Sequence, residues 1–223
     1  MKRISLLLTF FISATIIAQN PIDKEIGEFS ELKVYDLIEV ELVKSKHNKV
    51  VISGKNADNV LVNNKNGTLK IKMNFKEIFD GNETKVKLYY SKVDVIDVNE
   101  GANVHSEDKI KQFEIDLKSQ EGGKINVKVD VTYANIKAVT GGVIKVTGKA
   151  KSQNVSLLTG GIYKGAELKT DKTEVAIRAA GEAYVNAKDL VDVKIRAGGD
   201  VFIYGDPETV NENRVFGGRI KRM

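Results

Sequence analysis

The chain has no cysteine and no tryptophan, and it contains only two prolines and two histidines. Without cysteine it has no disulfide, no thiolate nucleophile and no cysteine for lipid attachment. The histidines, His47 and His105, lack the nearby cysteine, histidine or carboxylate partners typical of a zinc site. We therefore expect no catalytic residue, no metal site and no cofactor, and a fold that core packing alone must stabilise.

Long apolar runs are also scarce, and the one that stands out is at the amino terminus. The segment from Ile4 to Ala18 carries no charge and follows the basic start Met1-Lys2-Arg3. This order is typical of a secretory signal peptide, and the run is shorter than the roughly 20 apolar residues of a membrane span. We expect residues 1–18 to be a Sec-type signal, removed on export to the periplasm, the outer membrane or the extracellular space. The mature chain would then have no transmembrane segment; the alternative is an uncleaved anchor.

The charge balance excludes one class of partner. The chain has 35 Lys and Arg residues against 30 Asp and Glu residues, and the two signs are interspersed along the sequence. Nucleic-acid-binding proteins need a basic stripe on one face, so we expect no nucleic-acid partner. The one dense basic run, formed by Arg219, Lys221 and Arg222, is predicted to be a solvated carboxy-terminal tail over residues 217–223.

A pair of small residues recurs in the second half of the chain. The second members of these pairs are 19, 19, 20 and 18 positions apart, and a period near twenty indicates stacked supersecondary units. The pairs are Gly122-Gly123, Gly141-Gly142, Gly160-Gly161, Ala180-Gly181 and Gly198-Gly199.

Apolar residues recur two positions apart on both sides of each pair, which is the period of a strand. Stacked coils would form two inner columns of mostly β-branched residues, and residues of the other parity, such as Lys145, would point outward. The columns are Val127, Val146, Val185 and Ile203, and Leu117, Ile136, Val155, Val175 and Val193. The sequence therefore predicts an all-β fold, a single-stranded parallel β-helix or solenoid with coils of about 19 residues.

The first half of the chain is rich in strands but does not show the glycine period. Asn66-Gly67 is the favoured pair for a tight hairpin turn, with the loop length left open. We expect a short lead over residues 19–28, a strand-rich part over 29–91 and solenoid coils over 92–216. The predicted strands before the coils are Leu32–Tyr35, Ile38–Val43, Val50–Ser53, Val60–Asn63, Leu69–Met73 and Val86–Tyr90.

Several segments resemble one known family, that of the putative auto-transporter adhesin head GIN domain. They are residues 29–34 (FSELKV), 38–42 (IEVEL), 66–71 (NGTLKI) and 198–207 (GGDVFIYGDP), in that order along the chain. The resemblance covers roughly residues 28–220. It implies an exported β-helix-like domain, frequent in Bacteroidetes-type bacteria, and supplies no catalytic motif. The glycine-poor region 101–121 departs from the pattern and leaves the register of the early coils open.

Two arginines and three aromatic residues mark the late coils as a candidate binding surface. Arg178 and Arg196 each stand two residues before their small pair, so adjacent coils should stack them about 4.8 Å apart. Tyr184, Phe202 and Tyr204 occupy outward positions in the same coils. Such a surface suits a glycan or a surface protein as partner. The alternative is structural: the rings pack locally, and the arginines pair with acids or spread into solvent.

Three classes of function remain open. A non-catalytic adhesin-like binding or structural module is our leading interpretation, because solenoids present long ordered surfaces. The alternative is a carbohydrate-active enzyme that uses two carboxylates on a β-helix face, with Asp189, Asp192 and Asp200 as candidates. The third is a homo-oligomer in which one end of the solenoid packs against another copy.

Overall fold

The computed structural model describes residues 21–75 and 79–223, so the predicted signal peptide lies outside the described residues. The strands form one continuous hydrogen-bonded sheet, and a short 3₁₀ helix spans Ala57–Asn59. The strands are β1 (Ile22–Glu25), β2 (Glu31–Val34), β3 (Glu39–Lys44), β4 (Lys49–Gly54), β5 (Val60–Lys65), β6 (Thr68–Met73), β7 (Thr84–Tyr90), β8 (Val95–Val98), β9 (Asn103–Ser119), β10 (Lys124–Val139), β11 (Val143–Leu158), β12 (Gly161–Ile177), β13 (Gly181–Ala197), β14 (Asp200–Tyr204), β15 (Thr209–Phe216) and β16 (Arg219–Arg222).

Strands β9 to β13 are the regular coils of a parallel β-solenoid. Each pairs in parallel with the next, so Val127 lies beside Val146 and Val155 lies beside Val175. Both predicted inner columns are buried, whereas Lys145 is exposed. Every second side chain of a strand points to the same side, and β-branched residues pack well on that surface. The prediction of an all-β solenoid with coils of about 19 residues is confirmed.

The small pairs form corners between coils, and their two positions have different roles. At the corner after β11, Thr159 and Gly160 both have positive φ, 51° and 75°. The next residue, Gly161, is tightly packed: a β-carbon there would lie 2.1 Å from the carbonyl oxygen of Ala138 in the preceding coil. Glycine is therefore required at 161 by contact and favoured at 160 by its backbone conformation.

Parallel stacking begins earlier than the glycine period indicates. β2 lies between β6 and β8, with Leu32 beside both Leu69 and Ile96, and β3 lies between β7 and β9. The bend between β2 and β3 uses Asp36 and Leu37, whose φ values of 59° and 62° resemble those of the later corners. Because neither residue is glycine, a glycine period cannot reveal this coil.

The amino-terminal coils carry antiparallel strands as well. β1 pairs with β4, β4 with β7, and β5 with β6. The β5–β6 hairpin closes through Asn66 and Gly67, whose φ values of 52° and 78° are typical of a type I′ turn. The predicted hairpin is confirmed, and its loop has two residues. All six strands predicted in this part of the chain are present as β2 to β7.

The carboxy-terminal strands place charged residues at core positions. β15 pairs in parallel with β13 and β16 with β14, so the segment expected to be a solvated tail contains a strand of the stack. Glu212 lies beside Val193 and Arg214 beside Ile195, and the two charged side chains form an ion pair at 3.6 Å. Charges at inward positions of an edge strand discourage the addition of another strand. This edge of the stack therefore carries charged side chains where the inner columns of the other coils carry apolar ones.

Candidate functional site

The three aromatic residues predicted for the binding surface lie on β13 and β14. Tyr184 is paired with Phe202, and their rings stack with centroids 4.8 Å apart and an angle of 14° between planes. Tyr204 lies one outward position further along β14, beside Asn186. The Tyr184 hydroxyl donates a hydrogen bond to Glu182. All three rings are half-buried, and the Tyr184 and Phe202 rings each pack one face against the other.

The two arginines form a separate column. Ile177 and Ile195 are paired in register on adjacent coils, and each is followed directly by an arginine, Arg178 or Arg196. Both arginines are exposed. Within the described part of the chain, neither guanidinium has a carboxylate within ion-pair distance. Arg178 precedes the corner at Ala180 and Arg196 precedes the corner at Gly198, whereas Tyr184 and Phe202 follow these corners. The corners thus divide the predicted patch into an arginine column on one side and an aromatic column on the other.

Two of the three carboxylates considered for hydrolysis, Asp192 and Asp200, are engaged in ion pairs. Asp200 accepts two hydrogen bonds from Arg219, from Nε at 2.8 Å and from Nη2 at 2.6 Å, and this contact lowers the pKa of the Asp200 carboxyl. Asp192 lies 3.1 Å from the ammonium group of Lys194. A general acid for glycoside hydrolysis needs a raised pKa. The contact with Arg219 instead lowers the pKa of Asp200.

One carboxyl group does have a raised pKa, and it belongs to a corner. Burial raises the pKa of Glu100, and the neighbouring Asp36 and Glu121 raise it further. Asp36 is itself buried and accepts the backbone N–H of Met73 at 3.0 Å and of Phe79 at 3.4 Å. These hydrogen bonds fix the backbone around the first corner, so we assign Asp36 a structural role.

An exposed aromatic pair on the early coils was not predicted from the sequence. Phe113 of β9 is 66% exposed and Tyr133 of β10 is 43% exposed. Their rings meet edge to face, with centroids 5.2 Å apart and planes at 72°. Neighbouring coils carry Ser152 and Lys172 in register with Tyr133. An aromatic residue at an outward position where other coils are polar was the signal that could have identified this pair.

Phe113 borders a depression on the side of the solenoid. Its volume is about 480 Å³, and the residues that line it with Phe113 are Lys92, Asp94, Val95, Gln112, Glu114, Asp116 and Asn135. A second depression of about 260 Å³ continues from Tyr133 and Asn135 along the later coils. We call the surface formed by Gln112, Phe113, Glu114, Asp116, Tyr133 and Asn135 the aromatic groove.

Hydrogen bonds within the groove use its amide donors. Asn135 Nδ2 donates to Glu114 Oε1 at 2.7 Å and to Asp116 Oδ1 at 2.8 Å. Gln112 Nε2 donates to the carbonyl oxygens of Val93 at 3.0 Å and of Glu114 at 2.6 Å. The amide oxygens of Asn135 and Gln112 have no hydrogen-bond donor within the described residues. The groove therefore offers mainly acceptors to a ligand.

A column of side-chain oxygens extends from the groove along the solenoid. Its members are paired in register from one coil to the next, so they repeat at the strand spacing of about 4.8 Å. We call it the acceptor column: Asp116, Asn135, Asn154, Glu174, Asp192 and Asn211.

The fold and these surfaces define the class of protein: a parallel β-solenoid whose sides carry exposed aromatic and polar groups. In the described ranges, no three His, Cys, Asp or Glu residues are arranged to hold a metal ion. A family model described as "Putative auto-transporter adhesin, head GIN domain" matches residues 28–207. The chain belongs to this family.

Several solved structures have the same fold as this chain. A putative adhesin from Bacteroides fragilis has a TM-score of 0.84 and 18% identity, covering 91% of this chain and 96% of its own. A putative adhesin from Parabacteroides distasonis has a TM-score of 0.75 and 16% identity, covering 92% and 96%. A putative lipid binding protein from that organism has a TM-score of 0.68 and 18% identity, covering 91% and 97%. A comparison with curated proteins gave no match.

Residues 21–75 and 79–223 contain no helix with the length and apolar character needed to cross a membrane.

Proposed function

We propose that this protein is an exported, non-catalytic, adhesin-like module that binds its partner through the side of the solenoid. The observation that carries the proposal is the exposed pair Phe113 and Tyr133 beside the largest of the surface depressions described above. Large aromatic side chains in contact with water are unfavourable unless a partner covers them, and they are common anchors of binding interfaces.

The rest of the surface supports binding more than catalysis. The carboxylates Asp192 and Asp200 are held in ion pairs, so neither has the environment of a general acid. The late-coil column of Arg178 and Arg196 is a second, cationic surface of the same module. Its separation from the Tyr184 and Phe202 rings by a corner makes it the weaker candidate for the main contact.

Export is the first part of the proposal to test. The full chain, expressed in a Gram-negative host, should be found in the periplasmic, outer-membrane or culture fraction, with Gln19 as its first residue by amino-terminal sequencing. A signal peptide with a basic start and an apolar run directs this outcome. A cytoplasmic enzyme provides the fractionation control. Recovery of the protein from the cytoplasm with Met1 retained would contradict export.

Adhesion is the second part. Beads coated with the purified protein should adhere to at least one surface in a panel coated with polysaccharides and proteins. The double variant Phe113→Ala and Tyr133→Ala should reduce adhesion at least about tenfold, since anchor residues dominate binding energy. The matched control is Arg178→Ala with Arg196→Ala, which alters an equally exposed pair three coils away. Equal adhesion by all three proteins would remove the groove from the proposed function.

A further inference from the structure

We propose that the aromatic groove and the acceptor column bind an uncharged polysaccharide chain that lies along the solenoid axis. This inference rests on the proposed function and adds the chemical class of the partner. A pyranose ring has an apolar C–H face and a rim of hydroxyl groups, so it needs both an open aromatic face and hydrogen-bonding groups beside it. The aromatic groove supplies the two together.

The rings provide the apolar part of the contact. Phe113 and Tyr133 meet edge to face, so each ring keeps a face directed away from its partner. Their exposures of 66% and 43% leave these faces accessible. The stacked Tyr184 and Phe202 rings also keep one free face each, but both residues are half-buried and present less of that face to solvent. The early pair is therefore the better platform for a sugar ring.

The polar part of the contact selects a ligand that donates hydrogen bonds. The amide N–H groups of Asn135 and Gln112 donate to groups of the protein, so their amide oxygens are the atoms left to accept a hydrogen bond from a ligand. Glu114 and Asp116 add carboxylate oxygens beside them. Sugar hydroxyls donate to such acceptors without carrying a charge. Lys92 pairs with Asp94 at 2.7 Å and Lys118 lies 3.9 Å from Asp116, so Glu114 leaves one net negative charge at the depression. This charge disfavours an anionic polysaccharide and leaves an uncharged chain as the favoured ligand.

The acceptor column explains why a chain fits better than a single cation. A lysine or arginine side chain could also lie over the rings and pair with Glu114. Along the column, however, the two positions after Asp116 are the neutral amides Asn135 and Asn154, so the next carboxylate, Glu174, lies three strand spacings, about 14 Å, from Asp116. A polymer of hydroxyl-bearing units can repeat the same contact from coil to coil.

Affinity electrophoresis of the folded protein tests the ligand class. Native gels would contain a soluble glucan, mannan or xylan, and a gel without polysaccharide would correct for differences in charge. We expect the protein to be retarded by at least one of these. Phe113→Ala with Tyr133→Ala should weaken binding at least about tenfold, whereas Asn154→Ala should weaken it about two- to threefold. Lys145→Ala, an exposed position outside both the groove and the acceptor column, should leave it unchanged.

Three outcomes would overturn the inference. They are no retardation by any of the three polysaccharides, full retardation of the double aromatic variant with an unchanged melting temperature, and binding of a lysine hexapeptide to the groove in place of a polysaccharide. If the beads still adhere through Phe113 and Tyr133 to a protein-coated surface, the adhesin-like function stands and only the ligand class fails. If the beads do not adhere to any surface, both the proposed function and the ligand class fail.

Discussion

Replacement of Val146 by aspartate is expected to destabilise the protein by at least about 3 kcal/mol. Val146 is fully buried and lies beside Val127 in the inner column. Either the charge is buried without a partner, or the carboxyl stays protonated with a strongly raised pKa. Urea unfolding followed by circular dichroism at pH 7 would measure the loss.

Lys145→Asp is the matched control for this prediction. Lys145 is adjacent in sequence but exposed, so the same new carboxylate remains in water and should cost under about 0.5 kcal/mol. The cost of Val146→Asp should also shrink as the pH falls, because the buried carboxyl binds its proton more tightly in the folded state than in the unfolded state. Similar unfolding curves for the two variants would mean that the assignment of inner and outer positions is wrong.

Replacement of Gly161 by alanine is expected to have the second largest effect, about 3 kcal/mol or more. The added β-carbon would lie 2.1 Å from the carbonyl oxygen and 2.6 Å from the carbonyl carbon of Ala138. Both are backbone atoms of the adjacent coil, so the clash cannot be relieved by a rotamer change. The coils must separate locally, which weakens the hydrogen bonds between β10, β11 and β12. The melting temperature and the midpoint of urea unfolding report this loss.

Gly160→Ala separates the clash from the effect of losing a glycine. A β-carbon at 160 meets nothing within 4 Å, and the residue has a φ of 75°. Its cost should be limited to that of the left-handed conformation, about 1–2 kcal/mol. Thr159, with a φ of 51°, shows that this corner accepts a β-carbon in that conformation. If both alanine variants lose the same stability, close approach between coils is not what requires the second glycine.

The regular coils were predictable because every coil has the same two sequence requirements, one for its strand and one for its corner. A strand that contributes to the core must alternate apolar and polar residues, and a corner must accept positive φ and close contact. These conditions involve few residues, and they recur at Gly123, Gly142 and Gly161. The earlier coil that contains Leu32 was missed, because its corner has no glycine and the strands β3 to β7 separate it from Ile96 in sequence.

One core position shows why local pattern alone is insufficient. Gly165 stands in the inner column where other coils carry valine or isoleucine. The ring of Tyr163 fills the space: a β-carbon at 165 would lie 2.3 Å from the Tyr163 hydroxyl oxygen. That hydroxyl is buried, which raises the pKa of Tyr163, and it donates to Gln153 Oε1 at 2.7 Å. The pairing of a large and a small residue follows from packing across the coil.

The sequence by itself determined the β-solenoid, its period of about 19 residues, the parity of its core and the family resemblance. These follow from alternation and turn chemistry, which each segment carries locally. Only the tertiary structure decided which outward side chains become neighbours. It separated Arg178 and Arg196 from the late aromatic residues by a corner, and it brought Phe113 and Tyr133 together. Such contacts depend on the register between strands of different coils, which the irregularity in β9 shifts and which no single segment specifies.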